Sequence, residues 1–430
     1  MALKRSHGII SVLALMGLGA FPACVGAEAT GASAGSSSSS TGGGSSSSAG
    51  SGGGTSSSTA EGGASSSTGA TTGTGGATST STSTTSSAGG TPVDGGSPEV
   101  ALVSTYLGGL LAFTVDPLDG ALAPVDGSPF DPHGHLYTIA LHPSGTFVYA
   151  VDPDAGMLFA YRIAPGSGAL APVPGSPLAT DKGAIAVDPQ GRFVYLGGGT
   201  SLDVYAIDPD SGALSITEGS PHTVTGTLFI APHPSGHFVY VSGAGIGAYA
   251  VDPASGALSE VAGSPFAAGT ALNGALVFHP SGKFLYNAWD GVSGYACDPV
   301  TGALTAMTGS PFAGPVGSDG FAIDFAIDPF GKFAYGVNAA TEHLVAYAID
   351  ETSGVLTAVP GSPFAGGPSA YSVAVDPGGR FVYVGNDDAA QISAFSIDRQ
   401  SGSPTPLAGS PFPARGLQPE IVIARGSTLE

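Results

Sequence analysis

Charge is what this sequence has least of. Only 10% of its 430 residues are Asp, Glu, Lys or Arg, against roughly 25% in ordinary globular chains. Positive charge is scarcest: 11 Lys and Arg stand against 32 Asp and Glu, a net charge of −21. That balance excludes nucleic acid as a partner, because neutralising phosphates needs clustered cations. It also argues against an anionic membrane surface as a target of the folded part. Two cysteines cannot make a disulfide framework. No phosphate-cradling glycine loop or HExxH is present, so no cofactor and no metal are expected. What is abundant is punctuation: 70 Gly and 34 Pro, a composition of turns rather than helices.

Residues 1–24 read as an export signal. Lys4 and Arg5 precede residues 8–21 (GIISVLALMGLGAF), a run too short to span a bilayer as a mature helix. It ends in Phe21-Pro22-Ala23-Cys24, which resembles a bacterial lipobox with Cys24 as the lipidated residue. A cut after Val25-Gly26-Ala27 would instead release a soluble protein. Residues 25–97 read as a tether. From 29 to 97 the chain is almost wholly Ser, Gly, Thr and Ala, too poor in apolar surface to order itself. As a coil it would reach roughly 45 Å root-mean-square. The expected location is the cell envelope, with membrane contact only through the N-terminal lipid.

Residues 98–430 repeat. Gly-Ser-Pro recurs at 127, 175, 219, 263, 309, 361 and 409. A Phe-x-Tyr strand recurs six times, from Phe147-Val148-Tyr149 to Phe381-Val382-Tyr383. Each follows a turn of the form HPSG (142, 233, 279) or DPxG (188, 328, 376). Proline presets φ there, glycine accepts positive φ, and the leading His or Asp can bond back to the turn. Each unit reads as four strands, A to D. In one unit these are Thr227–His233, Phe238–Ser242, Ile246–Asp252 and Ala257–Ala262. Short strands at this period predict an all-β fold, a seven-bladed β-propeller. There are seven C–D hairpins but six A–B hairpins. The chain starts on a B-type strand, Val100–Tyr106, and ends on Gln418–Ala424, so the last strand is expected to complete the first blade. Closure removes open sheet edges. Trp289-Asp290 occurs once, not once per blade, and marks no WD repeat. A monomer is expected.

The FxY strand after its HPSG or DPxG turn, followed by AYxIDPxSGAL, resembles the lactonase-type seven-bladed propellers, which include 6-phosphogluconolactonases and carboxymuconate cyclases. The likeness is close at Phe278-His279-Pro280 with Lys283-Phe284-Leu285-Tyr286, and at Ala160–Pro165 with Gly168-Ala169-Leu170. It implies the fold and, in an enzyme, an Arg-His pair on an inner strand before the FHP turn. Here those positions fall on Gly274 and Ala275.

Strand A should line the central channel. The D–A and B–C loops should share one face and the A–B and C–D turns the other. The turns are near-identical between blades and the D–A loops all differ, so function is expected on the loop face. Asp324 and Glu420 are the candidate catalytic carboxylates, able to hold a cation or activate water on a lactone; a solvated channel lining is the plainer alternative. His133, His135, Tyr137, Asn273, Tyr371, Ser372, Arg415 and Gln418 are the candidate ligand-binding residues, with exposed polar loop as the alternative for the two histidines. His142, His233 and His279 read as turn residues, because Asp takes the same position in other repeats. Cys297 reads as a buried strand residue. Asp152-Pro153-Asp154 and Asn386-Asp387-Asp388 read as surface loops. The functional expectation is a lactonase-family propeller acting mainly as a binding module for a lactone- or sugar-like ligand or a cell-surface protein. The alternative is a lactone hydrolase.

Overall fold

Strand and turn chemistry set the architecture. The computed structural model describes residues 98–130, 134–268, 274–289, 291–312, 324–338 and 341–426. The export signal, Cys24, the tether, His133 and Asn273 lie outside them. Every sheet is antiparallel, and seven sheets succeed one another along the chain. Among the described residues no helix is long and apolar enough to cross a membrane.

Blade 1 takes its inner strand from the C-terminus. Leu417–Ala424 (strand A) pairs with Glu99–Tyr106 (B), which pairs with Gly109–Val115 (C) and Leu122–Pro124 (D). The expected closure is therefore present. The inner strands of blades 2 to 7 are Thr138–Leu141, Ala184–Val187, Ile230–Pro232, Ala275–Phe278, Asp324–Ile327 and Ala370–Val375. Their free edges face the axis. The expected strand Phe238–Ser242 is found as such, whereas strand A of that blade is only Ile230–Pro232 and strand D only Leu258–Glu260.

The Gly-Ser-Pro motif explains the short D strands. It follows strand D, with glycine at φ between 83° and 91° and a cis Ser–Pro bond in all seven blades. In each blade the serine Oγ accepts the N–H of a strand C residue sixteen places earlier, as in Ala160 to Ser176 and Ala248 to Ser264. The hydroxyl replaces a ladder carbonyl where strand D breaks off. The chain then re-pairs with the start of strand C, for example Leu178-Ala179 on Met157-Leu158.

Blades bury their faces against each other, with mixed clusters such as Phe238, Tyr240 and Leu276, Leu285 at one interface. In five of the six FxY strands the Tyr donates across the interface to a glycine carbonyl of the next blade's C–D turn. Tyr240 reaches Gly302 at 2.7 Å and Tyr286 reaches Gly354 at 2.7 Å. The turn histidines do the same work. His142, His233 and His279 bond through Nε2 to the carbonyls of Gly191, Gly282 and Gly331, each in the next blade. Cys297 is buried at such an interface, 3.2 Å from the Tyr240 hydroxyl, and burial pushes its thiol pKa up.

Candidate functional site

The two faces differ in charge. Nine of the Lys and Arg follow residue 97. Seven stand in or beside the A–B and C–D turns, where Arg192 pairs with Asp188 and Arg380 with Asp376 and Glu99. Only Lys182 and Arg415 stand in loops of the opposite face. Lys182 is buried and turned to Asp181 and Asp203 in blade 3.

On that face a common register places one inner-strand residue per blade at the same depth. It is the residue opposite the strand B position four places after the Phe of FxY. Three consecutive blades show Asp324 opposite Val337, Ser372 opposite Gly385 and Glu420 opposite Ser104. Thr138, opposite Val151, follows in blade 2. Each of the four reaches the free inner edge of the following blade. Asp324 Oδ2 accepts the Val373 N–H at 2.9 Å. Ser372 Oγ donates to the Pro419 carbonyl. Glu420 accepts the Ile139 N–H. Thr138 Oγ1 donates to the Gly183 carbonyl at 2.7 Å. At the same register the remaining blades carry Ala184, Ala275 and Phe229, whose carbonyl accepts from Ser242. The channel mouth is therefore polar through blades 6, 7, 1 and 2 and apolar through blades 3, 4 and 5.

Bulges shape the polar arc. Strand A of blade 7 is irregular between Ala370 and Ser372, and the blade 1 pairing is irregular between Ser104 and Tyr106. No bulge is recorded in the other described inner pairings. Bulges re-aim side chains and are common beside active sites. The first frees Tyr371 from the pairing. The second sets Gln418 at φ 51°, with its N–H on Asp387 Oδ1 at 2.7 Å. All five non-glycine residues of positive φ among the described residues, Leu107, Glu342, Ser369, Ala390 and Gln418, lie in the loop face of blades 6, 7 and 1.

Glu420, Asp324 and Asp387 all act on Tyr371, as does Tyr137. Desolvation raises the Glu420 pKa well above the ordinary carboxylate value, and the Asp324 charge raises it further. Desolvation also raises Asp324, against two N–H bonds that lower it. Both carboxyls keep some opening to the channel, but neighbouring blades crowd out most of their hydration. Burial and the surrounding acids push the Tyr371 and Tyr137 hydroxyls up.

Beside Tyr137 lies a second group. The His135 and Tyr106 ring centroids are 4.4 Å apart, and Tyr106 and Tyr137 are 5.5 Å apart. His135 Nδ1 meets Asp154 Oδ2 at 2.9 Å, and its N–H donates to Asp152. Of the residues singled out in the sequence, the structure brings Asp324, Glu420, Tyr371, Tyr137 and His135 near one mouth. Ser372 and Gln418 are buried there; Ser372 Oγ donates to the Pro419 carbonyl, and the Gln418 backbone N–H donates to Asp387. Arg415 is exposed beside blade 1. The structure adds Tyr106, Asp154, Asp387 and Ser104. Asp152, expected in a surface loop, is 4% exposed and holds the N–H groups of His135 and Ala155. The alternation of acidic B–C loops with variable D–A loops was the available signal for these contacts. Among the described residues no three His, Cys, Asp or Glu side chains converge as a metal would require.

Gly274 shows why an arginine is missing from blade 5. A Cβ there would lie 2.2 Å from the Ala288 carbonyl oxygen. No side chain fits without a backbone shift.

A family model described as the seven-bladed β-propeller lactonases matches residues 100–415. No curated protein sequence matches the chain. Among solved structures, a Bacteroides fragilis protein provisionally assigned as 6-phosphogluconolactonase is 19% identical, with TM-score 0.66, over 78% of this chain and 100% of that one. A periplasmic gluconolactonase of Pseudomonas aeruginosa is 21% identical, with TM-score 0.64, over 77% and 100%. These likenesses show the fold. The family match spans most of the chain, which therefore belongs to the lactonase family of seven-bladed β-propellers.

Proposed function

We propose that this chain is an exported, lipid-anchored propeller that binds a small lactone- or sugar-like ligand at the polar arc of its channel mouth, acting mainly as a binding module. One observation carries the reading: a bulge in blade 7 frees Tyr371 from the pairing where Glu420 and Asp324 act on it, while Gly274, where the resemblance implies the arginine of an Arg-His pair, has no room for a side chain. A phosphorylated lactone is disfavoured, since the arc is acidic and the face has two Lys or Arg, one of them already paired. Titration calorimetry of the full chain with glucono- and other lactones tests this. Saturable binding that Glu420→Gln or Asp324→Asn weakens at least tenfold is expected. A folded protein that binds none of them would sink the reading, and a cell-surface protein partner would take its place. Export and anchoring are supported by the basic, apolar and cysteine order of residues 1–24. Palmitate labelling abolished by Cys24→Ser is the expected result.

A second reading, lactone hydrolysis, is favoured by the raised pKa of Glu420. A carboxylate so tuned takes a proton from water as the water oxygen adds to the lactone carbonyl. The ring C–O bond then breaks and the leaving alkoxide recovers the proton, giving the hydroxy acid. Acid release above buffer in a pH-stat, lost in Glu420→Gln, would promote this reading over the first.

A further inference from the structure

We infer that the ligand of the channel mouth carries a protonated amine, seated between the Glu420 and Asp324 carboxyls and the faces of Tyr371 and Tyr137. The inference rests on the reading that the polar arc is a ligand site, and it names the ligand's chemistry.

The arc gathers acidic groups with no cationic partner acting on them. Asp324, Glu420 and Asp387 come from three successive blades and act on one another or on Tyr371, yet no Lys or Arg acts on any of them. The sequence supplies none from the undescribed loops either: residues 131–133, 269–273 and 313–323 contain no Lys or Arg. Lys182 belongs to blade 3, on the apolar side of the mouth, and is bound to Asp181.

Ser104 is an independent sign. Its side chain is 0% exposed and its Oγ has no hydrogen-bond partner. It lies directly across the strand pair from Glu420, and directly opposed residues project to the same face of a sheet. Buried hydroxyls are nearly always paired. An N–H group, or a water carried with it, lodged against Glu420 would complete this one.

The remaining chemistry selects an ammonium. A metal would need a converging set of ligands, which is absent among the described residues. An ammonium asks only for negative charge and acceptors in loose geometry, and it gains from tyrosine faces. An anionic ligand would meet repulsion. A neutral hydroxyl ligand would leave the raised carboxyls as they are in the free site and gain nothing from their charge.

Proton release follows. Glu420 is faced by Asp324 of blade 6, Tyr371 of blade 7, Ser104 of its own blade and the Ile139 N–H of blade 2, and Tyr137 of blade 2 acts on Tyr371. None is cationic, so the free site holds its proton above the usual carboxylate range. A bound ammonium favours the carboxylate and expels that proton. Affinity should therefore rise with pH until the ligand amine itself deprotonates.

The test is titration calorimetry of the full chain with D-glucosamine and choline against D-glucose, near neutral pH, in two buffers of different ionisation enthalpy. At least one amine should bind ten times tighter than glucose or more, with proton release. Glu420→Gln and Asp324→Asn, both near-isosteric, should each lose at least tenfold, and Ser104→Ala severalfold, with thermal melts confirming folded protein. Glucose binding as tightly as both amines, and weakened by Glu420→Gln, would overturn the amine and leave the mouth as a ligand site. Amine binding indifferent to both carboxamide variants would place it elsewhere on an acidic surface and also overturn the inference. No binding of amines, glucose or lactones by folded protein would remove the ligand site itself.

Discussion

Glu420 is a functional candidate that the fold tolerates at a cost. Its pKa is raised in the folded state, chiefly by desolvation. Native protein therefore holds a proton that the unfolded chain releases. Stability should fall as pH rises from the ordinary carboxylate value through the raised one. Glu420→Gln should match the parent in melting temperature in acid and exceed it at and above neutral pH. Melts across that range check this; a variant no more stable at high pH would contradict it. Gly274 is the opposite case, a position where chemistry is excluded by space. Gly274→Ala should cost about 1–3 kcal/mol by overpacking against the Ala288 carbonyl, read by denaturant unfolding. A cost near zero would mean blade 5 can yield, and the missing arginine would need another cause. Both carboxylates were legible in the sequence because charge is rare there and two fell on inner strands. Ser104 was not, since a serine within an apolar strand gives no hint that its hydroxyl lacks a partner.

Elements carry most of the fold's specificity in a few repeated polar contacts. The seven Gly-Ser-Pro serines each cap a strand C N–H that strand D no longer reaches. Ser264→Ala should cost about 1 kcal/mol by leaving the Ala248 N–H short of a partner, and Ser410→Ala a similar amount in blade 7. Their double variant should be close to additive, because the sites are well separated. Strand B of the sampled unit was legible to the residue: both its neighbours pair with it and its apolar run is unbroken. Strand A was overestimated by three residues at its start and one at its end. It pairs on one side only, and at its loop end the regular ladder with strand B gives way to a side-chain bond, Phe229 N–H to Ser242 Oγ. The bulges at Tyr371 and Gln418 were illegible for a related reason. A bulge adds one residue to one strand, and loops of unequal length hide that residue.

The whole molecule depends on one long-range pairing. Glu99–Tyr106 finds its inner partner more than 300 positions along the chain, in Leu417–Ala424. A chain ending at residue 415 should lose the inner strand of blade 1 and with it Glu420 and the bulge at Gln418. We expect it to aggregate or to melt well below the parent, by light scattering and calorimetry, since the inner edge of Glu99–Tyr106 would open. Seven-fold closure was legible because markers could be counted. The division of the channel mouth into a polar and an apolar half was not, because it appears only when strands of distant blades share a register.

The same pairing fixes where the chain enters the ring. Strand B of blade 1 starts at Glu99 on the turn face, where Arg380 of blade 7 holds its carboxylate at 3.1 Å, and the closing strand ends beside it, with Ala424 opposite Val100. Both ends of the described ring thus lie on the turn face. The acidic mouth opens on the other side. A fusion or surface attachment made through either end leaves the mouth unobstructed, whereas an insertion in the Asp387–Ala390 loop would lie across it.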